Sequence, residues 1–464
     1  MDPNQQYYQG GQSHYFGGGV GESNIHPFLL AVLMFAAAVL MFAPRKLAIY
    51  AFVLGAILVP GWQVIVFAGV HVQPLRVLVG TGCVRILKSA MQPTGVFNRI
   101  TWKTLDKVVV FWAASSVVTF SLLWGEWGAF TNKLGELFNY LGVYFLFRFL
   151  IRDEKDQVRA VVQALALACF ACGLLMVSEQ FLGHKAYAMF GGTDPFLNFR
   201  EGRPRSQASF MHPLLAGAFG GTLVPLFIGE WWQRSRTRLI ATLGIVGALM
   251  MVVTSNTSTS LTAVGSGILA LCLWPVRRGM RVVRWSLVIV LTTLHLVMKA
   301  PVWALIARID LTGGSSGYHR FELIDQAIRH FWDWWLVGTT TQASWGWDMW
   351  DSIDWYVSEG TSGGLLTLAL FVAIIVYAFK IIGSARRQAY LERDHRNEFF
   401  LWSMGASVFA NVLGFIGIAY YDQSIVMWLA LLAMISGMRV TTVRRGRRSE
   451  DSQVVHSELV AIPK

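Results

Sequence analysis

Three guanidiniums fall within six residues, Arg200, Arg203 and Arg205, in the stretch Asn198-Phe-Arg-Glu-Gly-Arg-Pro-Arg-Ser-Gln-Ala-Ser-Phe-Met-His-Pro213. Arg308, Arg320 and Arg329 stand in a second polar stretch far along the chain. A guanidinium offers a planar fork of donors that grips a phosphate through two parallel hydrogen bonds. These arginines therefore read as an anion site. The alternative is that they neutralise Glu201 and Asp325 or rest on lipid headgroups. The second stretch also holds His319 and, within a tryptophan-rich patch from Trp332 to Trp355, the carboxylates Asp348, Asp351 and Asp354. A carboxylate or an imidazole there has the chemistry of a general base. Three aspartates resemble ligands for a hard cation, but no fixed scaffold in the sequence converges them, so neither a metal nor another cofactor is expected.

These residues must be positioned by a chain that is 54% hydrophobic and only 14% charged over 464 residues. Near-continuous apolar runs of about 17–25 residues are of membrane-spanning length, and continuity rather than alternation favours helices over a barrel. The expected class is all-α, a polytopic helical membrane protein. Apolar segments at 28–43, 47–70, 74–90, 108–124, 134–151, 158–182, 212–230, 238–254, 258–275, 282–300, 361–382, 398–415 and 421–438 give about 12–13 spans. The net charge of +12 does not imply nucleic acid. Lys and Arg collect in alternate links, the pattern of cytoplasmic loops. That pattern places the C-terminus in the cytoplasm and two long links, 183–211 and 301–360, outside.

Residues 1–27 read as a polar, disordered tail, residues 28–440 as the transmembrane domain, and residues 441–464 as a basic tail on the membrane surface. Cys169 and Cys172 form a C-x-x-C on an apolar helix without histidine partners, which reads as buried small hydrophobes. Tyr318–Trp335 is expected to be one helix, with Phe321, Ile324, Ile328, Phe331 and Trp335 on its apolar face and Asp325–Arg329 as an i,i+4 pair. Ser315 or Ser316 would cap it. The hydroxyl-rich stretch from Thr254 to Thr262 is expected to face away from lipid tails.

The order of features resembles the membrane family of O-antigen ligases and Wzy-type O-antigen polymerases. An arginine-bearing outer loop runs into His212-Pro213, and a Ser/Thr-rich junction between two spans follows. Then comes a large outer loop with Tyr318-His-Arg320-Phe-Glu, Trp335-Leu-Val-Gly338 and Gly360-x-x-Gly363. The resemblance covers roughly residues 40–440 and implies a membrane glycosyltransferase fold at the periplasmic face of the bacterial inner membrane. It implies transfer of a glycan from an undecaprenyl-diphosphate-linked donor to a sugar acceptor, either lipid A core or a growing polysaccharide, without metal. Arg205 with Arg203 and Arg320 match the family's diphosphate-holding arginines best, and Arg200 lies beside them. His212, Gly360 and Gly363 would be supporting residues. Where the ligases carry a histidine ahead of the final span, this chain has Asp351 and Asp354, so these two and His319 are the catalytic candidates. Ligase and polymerase both remain open, and a transporter or flippase of a lipid-linked saccharide is the reading from another class. A transporter should show charged residues in mid-span, and here polarity concentrates in the outer loops.

Overall fold

A computed structural model describes Phe16 and residues 23–67, 70–91, 102–152, 154–308 and 316–438. Nearly all of the N-terminal tail, the Gly/Ser run ahead of Ser316 with its cap at Ser315, and the basic tail beyond Met438 lie outside the described residues.

Twelve of the thirteen apolar segments fall largely on a helix, and the 47–70 run does so only in its first half. In chain order the helices begin with α1 (Pro27–Phe42), α2 (Arg45–Leu58), α3 (Pro74–Ala90), α4 (Thr104–Trp124), α5 (Trp127–Ile151), α6 (Lys155–Leu182) and α7 (Pro213–Trp231). They continue with α8 (Arg238–Ser255), α9 (Ser258–Cys272) and α10 (Met280–Val297). Two further helices, α11 (Ser316–Arg329) and α12 (Phe331–Trp334), lie in the large link, and α13 (Trp355–Leu391), α14 (His395–Gly414) and α15 (Gln423–Ser436) complete the chain. Among the described residues, seven helices are long and apolar enough to cross a membrane, and three more are shorter and apolar. The chain is thus mostly helical, with the spans of a multi-pass membrane protein.

The sequence reading differs from the structure at three elements. The apolar run 47–70 is not one helix. Pro60 forces the preceding Val59 into extended geometry (φ −92°, ψ 116°). The chain then forms an antiparallel hairpin, β1 (Ile65–Phe67) with β2 (Val70–Val72). A second hairpin, β3 (Asn198–Arg200) with β4 (Arg203–Arg205), carries the three clustered arginines. The segment 318–335 is likewise not continuous. α11 ends at Arg329, and His330 (ψ 27°) turns the chain before α12. Its buried side is rotated from the expected one: Leu323 and Ala327 are buried with Trp334, whereas Ile328 and Trp335 are exposed. Here Leu323 and Ala327 pack with Trp345, Met349 and Val357 of the same link, so tertiary contacts override the more apolar stripe.

The third difference is at residues 355–360, expected as loop and found as the first turns of α13. Gly364 breaks that helix with φ 72° and ψ −179°, a conformation essentially confined to glycine. The break leaves helix groups to be satisfied from elsewhere. The stretch after α12 does so: Leu365 N–H donates to the Trp335 carbonyl (2.8 Å), and Thr339 N–H donates to the Thr361 carbonyl (2.7 Å). Trp335–Gly338 and Gly360–Gly364 are therefore one packed unit.

The core runs through α7 and α15, whose side chains are buried nearly throughout. α7 packs against α8, α9 and α14, and α6 lies along α8. The last two approach at Gly247, where an added Cβ would overlap the Phe170 backbone. Cys169 and Cys172 are buried in this region as free thiols. A buried ion pair ties the first turn of α4 to α5. Asp106 accepts from Arg148 Nε (3.2 Å), Tyr144 Oη (2.5 Å) and Ser436 Oγ (2.6 Å). With those bonds its charge is satisfied without water. By contrast α10 has no buried residue at all.

Candidate functional site

The site is assembled on the junction between α8 and α9. Asn256 turns the chain in the left-handed region (φ 45°), which asparagine tolerates better than most residues. Thr257 caps α9, its hydroxyl accepting the Ser260 N–H. Ser255, Thr257, Ser258, Thr259 and Ser260 are all buried, so this hydroxyl-rich turn faces protein, as its composition suggested.

Both arginine-bearing links anchor on that turn. Arg205 Nε donates to the Ser255 carbonyl (3.4 Å), and Asn256 Nδ2 donates to the Pro204 carbonyl (2.6 Å). Arg320, near the start of α11, donates from Nη2 to Thr259 Oγ1 (2.7 Å). Two cations far apart in sequence thus hold to acceptors four positions apart.

The hairpin is fixed from behind by the end of α6. The Glu179 carboxylate is fully buried. It accepts the backbone N–H groups of Ala186 (2.9 Å), Gln207 (2.9 Å) and Ala208 (3.2 Å). Gln180 Nε2 donates to the carbonyls of Pro204 (3.0 Å) and Thr254 (2.8 Å). The 183–211 link is therefore a braced loop, and its arginines are placed by a helix.

Between the two links lies a cleft of ≈ 430 Å³. Arg200, Arg205 and His212 line one side, Asn256, Thr257 and Ser258 the floor, and His319 and Arg320 the other side. Asp348, Asp351, Trp347 and Tyr421 stand at its rim. Burial, then the charge of Arg200, lowers Arg205 to about 10, so it remains a cation at neutral pH. Burial, then Arg205, Arg200 and Lys185, pushes His212 down to about 4. His212 is consequently a neutral imidazole, and its Nδ1 caps α7 by accepting the Leu214 N–H (3.1 Å). Burial raises Asp351, with His319 acting against the rise and Asp348 adding to it. His319 Nε2 is buried with no hydrogen-bond partner among the described residues.

Of the residues singled out from the sequence, Arg200, Arg205, Arg320, His212, His319 and Asp351 meet in this cleft. Arg203 does not. It is exposed at the hairpin and lies off the cleft wall. Asp354 is also elsewhere: it is 1% exposed and caps α13, accepting the Val357 N–H at 3.0 Å. Burial pushes it up to about 7, against its backbone hydrogen bonds and the charge of Arg320. A carboxylate sealed under a helix end has no path to a substrate proton. Gly360 and Gly363 are outside the cleft as well. A Cβ on Gly360 would meet the Trp334 ring at 2.8 Å, so its smallness serves packing. Arg329 pairs with Asp325 at 2.6 Å in the expected i,i+4 geometry and is 68% exposed.

The three aspartates do not converge, and no group of three or more His, Cys, Asp or Glu side chains suited to a metal occurs among the described residues. Sequence reasoning missed Lys185, whose charge reaches His212, and Tyr421 at the rim. Lys185 was findable as a further cation of the same link. Tyr421 carried no signal, being one aromatic among many.

No family model matches the chain, and no curated protein sequence matches it. The reading of the cleft rests on its own residues.

Proposed function

We propose that the chain is a membrane glycan transferase. It takes a glycan from a polyprenyl-diphosphate donor, in bacteria undecaprenyl diphosphate, and passes it to a sugar hydroxyl on lipid A core or a growing polysaccharide. The cleft faces the periplasm of the inner membrane, with the C-terminus cytoplasmic. One observation carries this reading: Arg205 and Arg320 come from separate links onto one turn, at the wall of a cleft that also holds Asp351 and His319.

The reaction forms a bond from the acceptor oxygen to the anomeric carbon and breaks the bond from that carbon to the diphosphate oxygen. Negative charge grows on the leaving diphosphate. Guanidiniums already in place stabilise that charge more in the transition state than in the ground state, which is what accelerates a step. Asp351, raised by burial, takes the acceptor proton. His319 beside it orients the carboxylate or the acceptor hydroxyl. The neutral His212 keeps a third charge out of the Arg200–Arg205 side.

The test is reconstitution of the purified chain in proteoliposomes with an undecaprenyl-diphosphate glycan and an oligosaccharide acceptor. A new glycosidic bond formed in the presence of EDTA supports the reading. Loss of transfer in EDTA with recovery on Mg²⁺ refutes the arginine account. Movement of donor across the bilayer with no bond formed makes the protein a flippase.

A further inference from the structure

A second cavity, of ≈ 530 Å³, lies at the other end of the bundle from the cleft. α9 and α14 connect the two: Ser258 and Ile418 line the cleft, while Arg277, just past the opposite end of α9, and Glu398, in the first turn of α14, line the cavity. α14 alone has 20 residues, a separation of about 30 Å at 1.5 Å per residue.

Six arginines enclose this cavity: Arg277 and Arg278 from the α9–α10 link, Arg281 and Arg284 from the first turns of α10, and Arg386 and Arg387 from α13. Among the described residues one carboxylate, Glu398, also lines it, and Arg277 takes it at 3.1 Å. The arrangement is braced rather than splayed. Arg386 Nη1 donates to the Arg277 carbonyl (3.1 Å), Arg284 Nε donates to the Met280 carbonyl (3.1 Å), and Arg278 lies over the Tyr390 ring at 4.8 Å. The basic link at Arg234 and Arg236 differs: both are exposed, and Arg234 faces Asp156 at 3.9 Å. So many like charges around one space are costly unless an anion occupies it.

The neighbouring surface identifies the source of that anion. α10 rises from the cavity rim, is apolar enough to span a membrane, and has none of that apolar stretch buried in the protein. Leu287, Val288, Val290, Leu291 and Leu296 are exposed along it. Lipid chains cover such a helix, and a chain lying on α10 brings its headgroup to the arginines. We infer that the cavity binds the phosphate headgroup of an anionic phospholipid in the leaflet opposite the cleft. Basic pockets between helices at the cytoplasmic surface are suited to such headgroups.

The test titrates the purified full chain in neutral detergent with fluorescent phosphatidylglycerol. Phosphatidylcholine is the zwitterionic comparison and inorganic phosphate the competitor. Saturable binding of phosphatidylglycerol alone is expected. The pair Arg281→Gln with Arg387→Gln should weaken it by roughly tenfold or more, and Arg236→Gln should leave it unchanged. The pair Arg281→Lys with Arg387→Lys preserves charge and should retain binding, which separates loss of the site from loss of the fold. Equal binding of both lipids, or equal loss in Arg236→Gln, overturns the site. Phosphate that displaces the lipid at equimolar concentration overturns the lipid assignment and makes the occupant a free anion.

Discussion

Arg→Lys substitutions separate a diphosphate clamp from ordinary surface charge. Arg205 and Arg320 are each 7% exposed, and each donates to the α8–α9 turn. Lysine keeps the charge but lacks the second arm of the fork and the rigid plane. The substitution therefore removes at least one charge-assisted hydrogen bond, about 1.5–3 kcal/mol, or about 10- to 150-fold in kcat/KM. Arg329 is the internal comparison. It is 68% exposed and pairs only with Asp325. Such an i,i+4 pair contributes about 0.2–0.5 kcal/mol, so Arg329→Lys should lower transfer by less than about threefold. The assay is transfer from a polyprenyl-diphosphate glycan in proteoliposomes at matched protein content. If Arg205→Lys and Arg320→Lys transfer at near the normal rate, the anion clamp is refuted. If Arg329→Lys is the inactive variant, the clamp has been assigned to the wrong residues.

Asp351→Asn should lower kcat by about 10²-fold or more, the usual weight of a general base, while Asp354→Asn should keep activity because asparagine caps a helix as well as aspartate. Asp354 also carries a pH signature: its pKa, raised to about 7, means the native state holds its proton longer than the unfolded chain does. Wild-type stability should therefore decline as pH rises from the ordinary carboxylate range through 7, and that decline should be shallower in the melting curves of Asp354→Asn. Gly364→Ala places a Cβ over the Leu336 carbonyl in a glycine-only conformation. It should cost at least about 1–3 kcal/mol, read as a lower melting temperature, and an unchanged value would mean the α13 break is not as described. With Cys272 replaced, a cysteine at exposed Ser344 should react with an impermeant thiol reagent in spheroplasts and one at exposed Ser384 should not; the reverse pattern inverts the proposed orientation.

The helical class and the position of each apolar helix were legible because burial in lipid or in a large core leaves the same long apolar run. Where the runs end was not. Pro60 ends α2 early through geometry local to Val59, a signal present in the sequence but outweighed by the apolar stretch around it. Residues 355–360 read as loop because the apolar run of the next span begins only at 361. In the structure the stretch is helical up to Gly364, where the Leu336 carbonyl needs the space, while the Trp334 ring packs on the helical Gly360. The cleft was legible in part through its arginines: Arg200, Arg205 and Arg320 line it, whereas Arg203 stands exposed and Arg329 pairs with Asp325. Which carboxylate faces it was not. Asp351 and Asp354 are three apart with similar neighbours, and only the start of α13 decides that one caps and the other lines. Lys185 and Glu179 were hidden for a related reason, because their roles depend on a loop folding back over the end of α6.

Glu179 has a consequence for genetics. Its side chain never enters the cleft, yet its two oxygens hold three amides of the loop that carries Arg205. Glutamine at 179 would present one acceptor oxygen and an amide donor facing amide donors, and the hairpin would lose its seat. In a screen for loss of activity, position 179 should therefore score alongside Arg205, with the protein still inserted and still abundant. Second-site suppressors should fall in the hairpin and the end of α6, not among the residues around the cleft.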